Sequence, residues 1–438
     1  MDEHERPAGA WALRQVAVLV AALLVLAAIV YVVQRQRDPG EPTGDRVAGL
    51  QDSPSSSELD DFARDVDATH VLAQQAQALA HSSAHSYRQT WDSGRQSQRA
   101  ASTIFANLRA LQVRRMGLQY VAADPSAASP AGDGAAGAQT WDAQVAVSWR
   151  LSGIDRSDAH STLTMTFVRR GDLVKVVAMS ARPGEREPIW LTGPLRVLRS
   201  DRTVVAATNM VDARRIDQEL RRAAIDVRKV IPSWRGSLAA YAPATREQFD
   251  ALMGANPDAY AGIAAVTTTV DGSRRAQAPV AIVVNPVVFQ RLGPIGRHVV
   301  VTHESTHVAT GATTVTMPLW VAEGFADYVG VGSVDVPLRV AAQAAIRDAR
   351  LHGPPTSLPS DADFSSTDRP VEVAYEQAWL ALRAIADEQG RDRLVAFYRD
   401  VVDHPRAVWR LLRRDAGMTR VELTRDWRAN LEALVDGR

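Results

Sequence analysis

The sequence predicts an α+β protein in three parts: an N-terminal transmembrane helix, a small α+β domain, and a larger domain with a mixed sheet, a histidine-bearing helix and a helical C-terminal part. Three observations lead there. An apolar run without a charge extends from Val16 to Val33. Helical periodicity after residue 57 gives way to strand patterns up to residue 182. An H-E-x-x-H stretch at 303–307 then stands between a set of strand patterns and a long helical remainder.

The chain has 438 residues, with Lys+Arg and Asp+Glu at 50 each. Balanced charge gives no electrostatic footprint for nucleic acid, so no nucleic-acid partner is expected. Cysteine is absent. Disulfides and thiolate metal sites are therefore excluded, which leaves histidines and carboxylates as metal ligands.

Residues 1–15 form a short head. Residues 16–33 are long enough to cross a bilayer, since about 20 apolar residues do so as a helix. Trp11 and Tyr31 lie near the two ends, as interfacial aromatics often do. Gln34-Arg35-Gln36-Arg37 follows instead of an A-x-A cleavage site, so an uncleaved anchor is expected. Arginines flank both sides and do not decide orientation. The habit of short-headed single-span proteins places the C-terminal bulk outside, giving a single-pass protein of the cell membrane with an extracytoplasmic C-terminal domain. Residues 34–57, rich in Pro, Gly, Ser and Asp, read as a flexible linker.

Residues 58–187 read as an accessory α+β domain. Leu59, Phe62, Val66, Thr69, Ala73 and Ala76 recur at helical steps through about Ala84, and a second helix includes Arg99–Leu108. Strands are expected at Gln112–Val121, Thr140–Ser152, Ser161–Arg169 and Leu173–Arg182, with a loose loop at Asp124–Ala138. The order of elements is similar to cone-shaped nuclear-transport-factor-like domains. Spacing, gating, or binding of an unknown protein or ligand is the expected role. His81 and His85 stand at i, i+4 with no acid or third histidine nearby in sequence, and with His70 they read as surface or packing residues.

Residues 188–438 read as the catalytic domain. A hairpin is expected at Leu195–Thr208, an amphipathic helix at Val211–Val230, and strands at Ser237–Ala242, Ala261–Val270 and Val280–Asn285. A helix from Ile295 to about Thr310 follows, then a loop to Pro318 and a second helix from Leu319. Beyond these come a polar helix at Pro337–Leu351, a long loop at His352–Pro370 suited to a cleft wall or lid, a helix at Tyr375–Glu388 and further helices to Gly437.

His303 and His307, four apart on a helix, share a face and can chelate one metal ion. Glu304 stands beside the open position, where it could take a proton from a water. Taken alone, the motif also arises as two surface histidines. Sixteen positions after Glu304's motif partner His307 comes Glu323, in Trp320-Val321-Ala322-Glu323-Gly324-Phe325-Ala326-Asp327. It is an acid in an apolar setting, costly to bury unless a metal pairs with it; the alternative is an acid favoured by a helix dipole.

These residues resemble the gluzincin zinc metallopeptidases, which carry H-E-x-x-H on one helix and a glutamate ligand on the next. The resemblance implies one Zn2+ per chain on His303, His307 and Glu323, with Glu304 as general base. It implies that Asp327 orients a ligand histidine. Val373-Ala374-Tyr375-Glu376 looks like a stretch whose tyrosine donates to the oxyanion, which implies Tyr375 in that role. The family's edge strand above the zinc helix pairs with extended substrate, and Val280–Asn285 is the candidate here. The expected function is a membrane-anchored zinc peptidase acting on peptide or protein substrates. Lack of a G-x-M-E-N stretch favours an endopeptidase. The alternatives are a catalytically silent, membrane-anchored binding scaffold on the same fold, and a structural zinc protein.

Overall fold

The computed structural model describes residues 56–124, 138–254, 260–365 and 368–437. The expected head, membrane helix and linker up to residue 55, and most of the loop at 124–138, lie outside them. Among the described residues no helix is long and apolar enough to cross a membrane. The chain divides into two compact units, with the boundary between Leu195 and Arg196.

The first unit opens with helices α1 (Ser56–Ala80), α2 (Ala84–Gln89) and α3 (Arg95–Ala110). Strands β1 (Val113–Ala123), β2 (Ala138–Leu151), β3 (Ala159–Arg170) and β4 (Leu173–Ala181) follow as an antiparallel meander in sequence order. Along β2 the residues Trp141, Ala143, Val145, Val147 and Trp149 are buried, the alternation of a strand with one face on a core.

Helix α1 buries a different stripe from the expected one. Ala68, Val71, Leu72, Gln75 and Ala78 face inward, while Phe62 and Val66 are 69% and 50% exposed. Both sets repeat at three and four residues, so periodicity does not choose between them. Burying the adjacent Val71 and Leu72 turns the other set outward. His70, His81 and His85 are exposed, as expected of surface histidines. The segment from Pro188 to Leu195, expected to open the second domain, packs with the first. Asn107 explains this: its amide donates to the carbonyls of Trp190 (3.1 Å) and Gly193 (2.7 Å), and its oxygen accepts from Leu195 N–H at 3.0 Å.

The second unit begins with the hairpin β5 (Arg196–Arg199) and β6 (Thr203–Ala207), helix α4 (Met210–Val230), β7 (Leu238–Ala242) and α5 (Arg246–Met253). Next come β8 (Ala265–Thr269), β9 (Val280–Val284), the short α6 (Pro286–Phe289), α7 (Pro294–Thr310) and α8 (Leu319–Gly332). The expected polar helix is two pieces, α9 (Leu338–Ala341) and α10 (Gln343–His352), broken at Ala342. Helices α11 (Val371–Gln389), α12 (Arg391–Asp403), α13 (Val408–Asp415) and α14 (Arg420–Asp436) close the unit.

The five-stranded sheet runs β5-β6-β7-β9-β8 and is mixed: β6, β7 and β9 are parallel neighbours, flanked by antiparallel β5 and β8. This corrects the edge-strand expectation. Val280–Val284 forms β9, which lies inside the sheet; the edges are β5 and β8, and β8 is the one whose Thr267 meets α7. A parallel crossover from β7 inserts β9 next to it, and β8, made first, is left outside. The segment β9 is accordingly a continuous apolar run buried from Ala281 to Val284, as interior strands are.

Helix α7 lies between two cores. Val300 and Val301 pack with the sheet and α4, and Val299 packs into the cluster built by α8, α11 and the C-terminal helices. Three successive valines are poor helix formers in isolation. Here burial on both sides outweighs propensity. Pro294 in the first turn and Gly311 at φ 72° after the last turn bound the helix.

Candidate metal centre

His303 and His307 lie one turn apart on α7, and both are buried. Their Nε2 atoms are 3.0 Å apart. Glu323, from the second turn of α8, brings its Oε2 to 3.2 Å from His303 Nε2 and 3.4 Å from His307 Nε2. The three ligand atoms therefore converge on one point, and this buried group could hold a metal ion.

Two glycines let α8 approach closely enough for this. A Cβ on Gly324 would stand 2.6 Å from the Ala378 carbonyl oxygen of α11. One on Gly330 would stand 3.0 Å from the Val299 carbonyl oxygen of α7. The start of α8 is fixed from a distance. Its N-cap is Pro318, which has no side chain to cap with, and Asp361 Oδ1 instead accepts the Leu319 N–H at 2.9 Å. Asp361 belongs to the loop expected to be a cleft wall or lid. Within that loop Phe364 is fully buried and edge-on to Tyr375 at 5.1 Å, while most of its other described residues are exposed.

Asp327 sits one turn after Glu323 and places Oδ1 2.7 Å from His303 Nδ1. A contact that short places a proton between the two groups; a metal ion at the convergence point would displace any proton on Nε2 and leave the His303 proton on Nδ1, facing Asp327. Burial disfavours a charged His303, but Asp327, Glu323 and Glu304 outweigh it and hold its pKa well above the ordinary histidine value. Burial likewise acts to raise Glu323, but His307 and His303 outweigh it and bring its pKa down to about 2. Burial raises the pKa values of Glu304 and Asp327, against the opposing pull of His303.

Three carboxylates, Glu304, Glu323 and Asp327, are thus buried together. Among the described residues none of them pairs with a lysine or arginine. Among the described residues the side chains paired with Glu323 and Asp327 are the two histidines, so a bound dication would offset the buried negative charge.

Glu304 is fully buried. Its Oε2 accepts the backbone N–H of Thr267 on β8 at 2.7 Å, and Thr267 Oγ1 lies 2.6 Å from the same oxygen. Tyr375, on α11, is also fully buried, and its hydroxyl has no hydrogen-bond partner among the described residues. Burial, with the nearby Glu323, Asp327 and Glu304 carboxylates, holds its pKa well above the ordinary tyrosine value.

All six residues expected from the sequence are therefore in one region of the second unit. Two contributors had no sequence signal of their own: Thr267, one of three consecutive threonines on a strand, and Asp361, in a loop far along the chain. His298, five positions before His303, stays off the site. Its Nδ1 and Nε2 lie 3.0 and 2.9 Å from Glu219 and Asp226 on α4, and it clasps α7 to that helix. Compared with models of protein families and with curated protein sequences, the chain matches none.

Proposed function

We propose that this chain is a membrane-anchored, zinc-dependent endopeptidase of gluzincin type. The observation that carries the reading is the convergence of two imidazole Nε2 atoms and the Glu323 carboxylate oxygen, with the carboxyl groups of Glu304 and Asp327 buried beside them. The donor set fits zinc. Two histidines and a glutamate are the protein ligands of one class of catalytic zinc site, and tetrahedral bonds of about 2.0–2.1 Å put ligand atoms about 3.3 Å apart. The spacings here are 3.0, 3.2 and 3.4 Å.

A zinc ion held there would act as a Lewis acid toward a water and the scissile carbonyl. The chain's own groups do the rest. Asp327 keeps the proton of His303 on Nδ1. Glu304 accepts a proton from the attacking water and returns it to the leaving amine nitrogen. The Tyr375 hydroxyl donates to the oxygen on which charge develops, a role supported by its burial beside the carboxylates without a partner of its own. The edge of β8 offers an extended peptide a strand to pair with. The apolar run at 16–33 supports the anchor, and the first unit serves as an accessory module for spacing or partner binding.

Glu304→Gln tests the function. Metal analysis and a peptide-library digest of both proteins are the assays. The variant should keep about one zinc per chain and lose cleavage. Zinc-loaded wild-type protein that cleaves nothing would sink the peptidase reading in favour of a silent binding scaffold.

A further inference from the structure

The two oxygens of the Glu304 carboxylate have different surroundings. Oε2 receives the Thr267 N–H at 2.7 Å and lies 2.6 Å from Thr267 Oγ1. The same hydroxyl is 2.9 Å from Glu304's own carbonyl oxygen, so the threonine grips both ends of the residue. Oε1 is buried and has no hydrogen-bond partner among the described residues.

The strand register explains why this backbone donor is free for the task. Ala264 O accepts from Asn285 N, and Val270 N donates to Pro279 O. Even-numbered residues of this segment therefore exchange the ladder bonds with β9, and Thr267 directs its N–H off the open edge. The sheet makes no use of that group. A glutamate has three rotatable bonds, and the N–H on Oε2, together with the one hydroxyl hydrogen shared between Oε2 and the Glu304 carbonyl, removes much of that freedom.

We infer that Thr267 is a positioning residue for Glu304: by holding Oε2 it leaves Oε1 as the oxygen that meets the reacting water. This rests on the peptidase reading. It adds a residue that the H-E-x-x-H motif does not contain, and it gives the edge strand a second role beside pairing with substrate.

Thr267→Val removes the hydroxyl and keeps the shape and the N–H. Thr267→Ser keeps the hydroxyl. The valine variant should lose about 10- to 100-fold in kcat, the scale for residues that orient catalytic groups. KM and zinc content should stay at wild-type values, and the serine variant should recover most of the loss. A valine variant with wild-type kcat overturns the inference. A readout independent of turnover is the crystal structure of the zinc-loaded valine variant, in which the Glu304 carboxylate should have turned away from its present rotamer. If zinc-loaded wild-type protein cleaves no peptide, the peptidase reading falls, and that structure alone decides: an unmoved Glu304 refutes positioning by the hydroxyl. Should the valine variant fail to fold, Thr267→Ala carries the same comparison.

Discussion

Glu376→Gln should change how the stability of this protein depends on pH. Glu376, on α11, is buried, and one of its oxygens accepts the Ala345 N–H of α10 at 2.7 Å. The cap position of α10 is Ala342, which has no side-chain acceptor, so Glu376 caps that helix from a neighbouring one. Burial pushes its pKa from 4.5 up to about 8. A carboxyl with a raised folded-state pKa stabilises the fold only while it holds its proton. Below about pH 4.5 both folded and unfolded chains are protonated and the contribution is complete. Between about 4.5 and 8 the unfolded chain loses the proton and the folded chain keeps it, so stability falls as pH rises. The slope approaches about 1.4 kcal/mol per pH unit, and the whole loss is about 5 kcal/mol. Glutamine keeps the oxygen that accepts from Ala345 and has no charge to desolvate. Urea denaturation of both proteins at a series of pH values, from about 5 to 8.5 and with chelator present, gives the difference curve. Every other titration is common to the two proteins and cancels. The variant should gain on the wild type steadily toward alkaline pH. A flat difference across that window would show that Glu376 does not hold its proton, and the reasoning from burial would fail.

Three further outcomes follow from the site and its frame. Asp327→Asn removes the carboxylate that holds His303 Nδ1–H and should weaken zinc affinity about 10- to 100-fold in a competition titration with a chelator; unchanged affinity would refute its orienting role. Gly324→Ala sets a Cβ 2.6 Å from the Ala378 carbonyl oxygen and should cost about 1–3 kcal/mol, read as a lowered melting temperature. An unshifted melting temperature would mean that α8 and α11 are less closely opposed. Tyr375→Phe should lower kcat on a peptide substrate while leaving KM and zinc content alone, and an equal rise in KM would instead assign the hydroxyl to ground-state binding.

The candidate metal ligands were legible in the sequence because their geometry is local. His303 and His307 share a face through the helix repeat alone, and Glu323 and Asp327 repeat that relation one helix later. Strand order is not local. Nothing in Val280–Val284 or Ala265–Thr269 records that the later strand pairs with β7, so the edge was assigned to the wrong one. The same applies to Thr267, whose role exists only once β8 lies beside α7, and to Asp361, which caps α8 across 42 positions of sequence. In α1 the periodicity was readable and the buried face was not, because two stripes of similar apolar content run along the same helix.

The glycines at 324 and 330 bear on how firmly the donor spacing of the candidate site is held. Side-chain packing yields to a slightly larger guest, but backbone against backbone does not. With α8 seated on carbonyl groups at two points and anchored at its start by Asp361, the gap between Glu323 and the two imidazoles has little room to widen or narrow. Two imidazole nitrogens and one carboxylate suit an ion of zinc's type, whereas calcium takes about six to eight oxygen ligands. Under the proposed function, the frame would hold the three donor atoms at a fixed spacing through residues that do not touch the ion.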